Sequence, residues 1–130
     1  MGEIPHIHLI KKNQGPGPAP HLTLTDPLGY LDFLGLMDAS LLVITDSGGI
    51  QEETTALGVP CLTLRANTER PITITEGTNR LLGADPGAIL PAAQELLTGP
   101  PPSPRCPALW DGSAGERIAA VLARFLDARH

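Results

Sequence analysis

The segment Thr45-Asp-Ser-Gly-Gly-Ile-Gln-Glu-Glu-Thr-Thr-Ala-Leu-Gly-Val-Pro-Cys-Leu-Thr-Leu-Arg65 constrains this chain more than the rest of it together. It reads strand, glycine turn, helix, strand. Residues 41–44, Leu-Leu-Val-Ile, are a short apolar run of buried-strand type, and residues 60–64 are another. Between them Ser47, Gly48 and Gly49 open a helix that Gly58 closes, with Pro60 behind it as a second stop signal. A glycine pair at the carboxyl end of a strand lets backbone N–H groups approach a ligand closely. The helix that follows aims its unpaired donors and the positive end of its dipole at the same spot. That is the chemistry of an anion site, most often one for phosphate.

The carboxylates on this helix refine the reading. At the α-helical repeat Ile50, Thr54 and Leu57 share one face, expected to pack on the sheet, and Glu52 falls opposite, in water. Glu53 falls near the edge of the apolar face, a turn above Gly49. Helix side chains lean toward the N-terminus, so it overhangs the mouth of the turn. There it can accept two hydrogen bonds from a vicinal diol, such as the ribose of a nucleotide whose phosphates sit on the glycines. It can also simply complement the helix dipole, at about 0.3–1 kcal/mol. Geometry leaves both readings open.

Further blocks accompany the turn. They are Leu57-Gly-Val-Pro60, Thr68-Glu-Arg-Pro71, Gly77-Thr-Asn-Arg80, Asp26-Pro-Leu-Gly-Tyr-Leu-Asp-Phe33 and Asp111-Gly-Ser-Ala-Gly-Glu-Arg-Ile118. With Ser47-Gly-Gly-Ile-Gln-Glu-Glu53, and in unbroken order from about residue 27 to residue 126, they resemble the non-hydrolysing UDP-N-acetylglucosamine 2-epimerase family. The resemblance implies an isomerase with two Rossmann-like domains of the glycosyltransferase-B type and UDP-sugar in the cleft between them. Such enzymes interconvert UDP-GlcNAc and UDP-ManNAc by eliminating UDP across C1–C2 and adding it back to the other face. Carried over, Ser47, Gly48 and Gly49 would contact the diphosphate, Glu53 the ribose hydroxyls and Arg70 the phosphate region. The Phe33 segment would border the uracil. The acid–base groups that move the C2 proton belong to earlier parts of the family's chain, so this chain by itself is expected to be inactive. No cofactor and no metal are implied.

The fold class expected is therefore α/β, a truncated Rossmann-like parallel sheet corresponding to the second domain. At 130 residues the chain is one domain at most. Residues 1–25 hold two divergent strands, at 4–10 and 22–25, around a Gly15-Pro-Gly-Pro-Ala-Pro20 segment that cannot be helical. Residues 26–98 form the nucleotide-binding core, 99–112 a proline-rich loop and 113–130 a C-terminal helix. In the core a helix over 30–38 turns Leu31, Leu34 and Met37 inward, and residues 80–83 form a last strand. Asp85 caps a helix with Pro86 at its first position, whose buried face is Ile89, Ala93 and Leu96 with Leu90 and Leu97. Ser113 and Glu116 make a capping box ahead of a stripe of Ile118, Val121, Leu122, Phe125 and Leu126.

By the family pattern, the strand at 4–10 is the second of its domain and 41–45 the fourth, so the strand between them is missing. Either two inner edges stay unpaired or the two strands pair directly. Open edges and a bare final stripe point to self-association, or to a complementing N-terminal domain. The net charge of −5 without a basic run argues against nucleic acid and anionic membranes. No apolar run approaches the ~20 residues of a membrane helix and no signal-peptide core is seen, so a cytoplasmic setting is expected. Cys61 and Cys106 lack motif spacing, and reduced thiols are the default. His6 and His8 share a strand face that could chelate a metal, but no third ligand is suggested and paired surface histidines are the better reading; Lys11 and Lys12 read as a solvated strand end. Three other functional readings stay open: a non-catalytic UDP-sugar-binding module, a fragment of a longer protein, and a glycosyltransferase C-terminal domain. The Thr-Glu-Arg-Pro and Gly-Thr-Asn-Arg blocks speak against the last.

Overall fold

The computed structural model describes residues 7–10, 21–103 and 105–129. They fall into two compact units, one ending at Leu36 and the other beginning at Met37. In the first unit β1 (Ile7–Ile10) pairs in parallel with β2 (Leu22–Thr25), Ile7 opposite Leu22 and Ile10 opposite Thr25. Helix α1 (Tyr30–Asp38) has the bounds its pattern implies. Its inward stripe is narrower than expected: Met37 is buried and Leu34 half-buried, but Leu31 is 78% exposed. His6, Lys11, Lys12 and the Gly15–Pro20 stretch lie outside the described residues, and His8 falls in β1.

The second unit is built on three parallel strands, β3 (Val43–Thr45), β4 (Cys61–Thr63) and β5 (Asn79–Leu81), in that spatial order. Val43, Cys61 and Asn79 stand side by side in the ladder. Parallel pairing requires crossovers, and α2 (Gly48–Leu57) and α3 (Ile72–Thr75) supply them. The middle strand is buried on both faces, with Cys61, Leu62 and Thr63 all at 0% exposure, hence its unbroken run without alternation. Burial pushes the Cys61 thiol up, against smaller opposing effects of the Thr54 and Thr63 hydroxyls. Cys106 is exposed. The strand expected over 41–44 starts later, because the ladder begins where Val43 N–H donates to Pro60 C=O at 2.9 Å. Leu41 lies outside it and is exposed. Among the described residues of this unit the outer edge of β3 carries no strand.

Helix α2 ends as its sequence requires. Gly58 takes the left-handed conformation at φ 73°, and its N–H returns to the carbonyls of the last turn. The face turned to the sheet, however, is polar: Gln51, Thr54 and Thr55 are fully buried, while Ile50 and Leu57 are only half-buried. Thr54 meets its own needs by donating to Ile50 C=O at 2.8 Å.

Asp85 and Pro86 begin a short 3₁₀ turn, with Gly87 N–H donating to Asp85 Oδ1 at 2.9 Å, and α4 (Ile89–Thr98) continues it. The face of α4 differs from the expected one. It centres on buried Ala92, and Leu90 and Leu97 are exposed, because a helix lying over a sheet of three-residue strands meets it along one narrow line. The capping box of α5 (Ala114–Asp127) does not form either. Ser113 has ψ 17° rather than an extended backbone, and its hydroxyl makes no cap bond. Asp111 takes over: its Oδ1 accepts from Ser113 N–H at 2.9 Å and its carboxylate pairs with Arg117 at 2.9 Å. Arg117 first, then that N–H, hold its carboxyl below the usual range. No residue of α5 is buried, and the stripe from Ile118 to Leu126 lies open.

Gly77 shows why its block needs glycine. A Cβ there would stand 2.5 Å from Thr73 C=O and 2.6 Å from Thr55 Oγ1, trapped between α2 and α3. Gly77→Ala should therefore lower stability by about 1–3 kcal/mol, seen as a lower urea midpoint with unchanged slope. A midpoint equal to wild type would show that the two helices yield there at no cost.

Candidate functional site

Strand β3 ends at Thr45, and the chain turns through Asp46 and Ser47 into α2 at the carboxyl edge of the sheet. That edge of a parallel α/β sheet is where ligands bind. The turn is held from within: Ser47 N–H donates to Thr45 Oγ1 at 3.0 Å. Ser47 has extended backbone as the N-cap residue, yet its hydroxyl makes no cap bond. The first-turn N–H groups of α2, beginning with Gly48 and Gly49, are those a helix leaves without intrahelical partners. Gly49 is exposed, Ser47 and Gly48 half-buried.

Arg70 comes to the same helix from the loop after β4. Its Nε lies 3.0 Å from Glu52 Oε1, a charge contact without directed hydrogen-bond geometry. Glu52, expected in free solution, thus anchors Arg70 to α2. Arg65, two residues beyond β4, pairs with Glu69 at 3.1 Å, and a Cβ on Gly48 would meet Glu69 Oε1 at 3.2 Å. The Glu69 carboxylate therefore stands over the first turn of α2. Its own N–H first, then Arg65, hold its carboxyl below the ordinary range. Glu53 is half-buried on the second turn. Ser47, Gly48, Gly49, Glu53 and Arg70 all belong to the second unit, while Phe33 is half-buried on α1 in the first.

Sequence reasoning missed the layer behind these residues. Gln51, on the buried side of α2, donates from Nε2 to Ser47 C=O at 3.1 Å. Its Oε1 accepts from Thr68 Oγ1 at 2.7 Å and from Asn79 Nδ2 at 2.9 Å. Thr68 Oγ1 in turn accepts from Arg70 N–H at 2.9 Å. Asn79 Nδ2 also donates to Thr73 Oγ1 at 3.1 Å, and Thr73 donates to Arg70 C=O at 2.7 Å. Thr63 on β4 closes the set by donating to Asn79 Oδ1 at 2.5 Å. The readable sign was Gln51, Thr54 and Thr55, a polar i, i+3, i+4 face on a helix set between two buried strands. Among the described residues no group of three or more His, Cys, Asp and Glu could hold a metal ion.

A Rossmann-like parallel sheet with a glycine turn at its carboxyl edge and an arginine tied beside it places the chain in the α/β class. The chain belongs to the UDP-N-acetylglucosamine 2-epimerase family, whose model matches residues 6–123. It is 51% identical over 97 residues to the UDP-N-acetylglucosamine 2-epimerase of Methanococcus maripaludis, an alignment covering 75% of this chain and 23% of that protein. The solved UDP-GlcNAc 2-epimerase of Methanocaldococcus jannaschii in complex with UDP-GlcNAc and UDP is similar at TM-score 0.65 and 39% identity, over 81% of this chain and 28% of that one. S. aureus MnaA in its UDP co-structure gives TM-score 0.72 at 34% identity, over 84% of this chain and 30% of that one. These likenesses bear out the expected fold class, the α/β sheet of a glycosyltransferase-B-type fold. The chain spans about a quarter of the length of the curated relatives it matches, 23% and 27% for two of them.

The Glu69 contact at Gly48 gives a test of the turn's tolerance. A methyl at this site meets only the far end of a flexible side chain. Gly48→Ala should fold with a stability change within about 1 kcal/mol, the Glu69 carboxylate swinging aside. A loss as large as that expected for Gly77→Ala would show that Glu69 is fixed there.

Proposed function

We propose that the chain supplies the UDP-binding part of a UDP-N-acetylglucosamine 2-epimerase. Ser47, Gly48 and Gly49 hold the diphosphate at the start of α2, Arg70 neutralises it, and Glu53 accepts hydrogen bonds from the ribose hydroxyls. Phe33 borders the uracil. The single observation that carries this is the ion-pair contact of Arg70 with Glu52, which tethers a cation to the same helix whose first-turn N–H groups lack intrahelical partners. The relatives solved with UDP or UDP-GlcNAc support the choice of ligand. Epimerisation would break the C1–O bond as the C2 proton leaves, placing charge on the departing diphosphate, where Arg70 stabilises it. On this reading the groups that take and return that proton come from the rest of the enzyme, and the reaction proceeds only when it is supplied. The span of about a quarter of its relatives keeps a non-catalytic UDP-sugar module as the second reading. No described helix is long and apolar enough to cross a membrane, and a cytoplasmic setting suits a nucleotide-sugar ligand.

The chain alone should catalyse no exchange of the C2 proton of UDP-GlcNAc in heavy water, since each absent acid–base group costs ~10²–10⁴-fold. Turnover that survives further purification would overturn the division of labour. In calorimetry UDP should bind more tightly than uridine. Glu53→Ala should weaken UDP by about 1–3 kcal/mol and leave 2′,3′-dideoxy-UDP nearly unchanged. Equal losses for both nucleotides would remove the ribose role.

The exposed stripe of α5 and the open edge of β3 support self-association or docking of a complementing domain. Light scattering should show species larger than the monomer, and Leu122→Glu should shift them toward it. A monomer with a sharp cooperative melt and no partner present would end this part of the reading.

A further inference from the structure

The hydrogen-bond set behind the glycine turn ends on three main-chain atoms besides its anchor at Thr63. They are Ser47 C=O, Arg70 N–H and Arg70 C=O. All three belong to Ser47 and Arg70, two of the residues assigned to the diphosphate. Of the groups that join them, Gln51 and Thr73 are fully buried, Asn79 nearly so and Thr68 half-buried. The three buried ones are closed to a ligand at the surface.

Their arrangement has a mechanical consequence. An arginine on a loop is ordinarily free at its backbone and along its whole side chain, and binding must suppress that freedom. Here the backbone of Arg70 is held on both sides, its N–H by Thr68 and its C=O by Thr73, and the Glu52 carboxylate stands 3.0 Å from its Nε. Gln51 carries the restraint across to the turn through a single amide, whose Oε1 takes Thr68 and Asn79 while its Nε2 holds Ser47. Distance between the turn and the arginine is thus set by one largely buried, hydrogen-bonded core.

We propose that Gln51, Thr68, Thr73 and Asn79 are positioning residues that fix the glycine turn and Arg70 at the mutual spacing a diphosphate requires. The inference rests on the UDP reading above. Fully satisfied buried networks are rigid, and a rigid frame under a charged contact lowers the ordering cost of each binding event.

Thr68→Val in the full chain tests it, because valine keeps the shape and removes the hydroxyl that Arg70 N–H and Gln51 share. UDP affinity should fall roughly tenfold, the loss of about one hydrogen bond's worth of positioning, with uridine unchanged within about twofold. Thr68→Ser should restore it. In an Arg70→Ala background Thr68→Val should change UDP affinity less than about twofold, since the residue it positions is gone. Equal losses in both backgrounds, or equal losses for UDP and uridine, would overturn the proposal and leave these residues as support for the fold alone. Thr73→Val, which removes the hydroxyl bond to Arg70 C=O and keeps only the backbone one at 3.0 Å, goes through the same cycle, so the test stands if one valine variant does not fold. Should the wild-type chain bind UDP no better than uridine, the UDP reading itself falls and this inference with it. A wild-type preference for UDP with an additive cycle removes the inference alone.

Discussion

A hydrogen bond of 2.9 Å between two buried amides, Asn79 on β5 and Gln51 on α2, holds the second unit in register. Leaving either amide unpaired in the interior would cost about 1–3 kcal/mol. Here both are paired. Asn79 donates to Gln51 and Thr73 and accepts from Thr63, on three different elements or loops. Sliding β5 by one residue would turn Asn79 to the other face of the sheet and strand all of these groups at once. An apolar core of the same size tolerates such a slip far better. With strands of only three residues there is little ladder to resist it, so the amides supply specificity that the backbone pairing lacks.

How much of this the sequence disclosed follows from where each signal lives. The glycine turn, the stop at Gly58, the bounds of α1 and the Asp85 cap are governed by neighbours a few residues apart, and they were legible. The buried face of α2 was not. Periodicity seeks apolar residues, and Gln51, Thr54 and Thr55 are polar groups whose burial depends on partners far along the chain. Glu52 was assigned to water for a similar reason: its helical angle is right, but Arg70 arrives from a loop whose path no local pattern fixes. The failed capping box repeats the lesson at short range. Ser113 and Glu116 have the correct spacing, yet Asp111 and Arg117 compete for the same turn and win with a charge-assisted pair.

The final helix belongs to a different regime. Its stripe was read correctly as a stripe, but amphipathicity says only that a face is suited to burial, not what covers it. In the described residues Ile118, Val121, Leu122, Phe125 and Leu126 remain open to solvent, so α5 adds no buried side chain to the second unit. The core of the second unit must then do without it, which explains why so few apolar side chains are fully buried there and why threonines fill the remaining volume.

The candidate site divides into two layers of different stiffness. Beneath lie the amides and threonine hydroxyls, buried, fully paired and costly to disturb. Above them are the ion pairs Arg70–Glu52 and Arg65–Glu69, whose side chains are about a third to a half exposed. Water screens pairs of that exposure, so they can be exchanged for another anion at small cost. On the proposed reading a diphosphate would compete with Glu52 for Arg70 and displace Glu69 from above Gly48, taking over charges already assembled. Fixed backbone with exchangeable side-chain partners suits a site that must bind a diphosphate and also release it. It also locates selectivity in the lower layer. On the same reading the carboxylates keep the cations neutralised until a ligand arrives, and the layer beneath sets the spacing between turn and arginine.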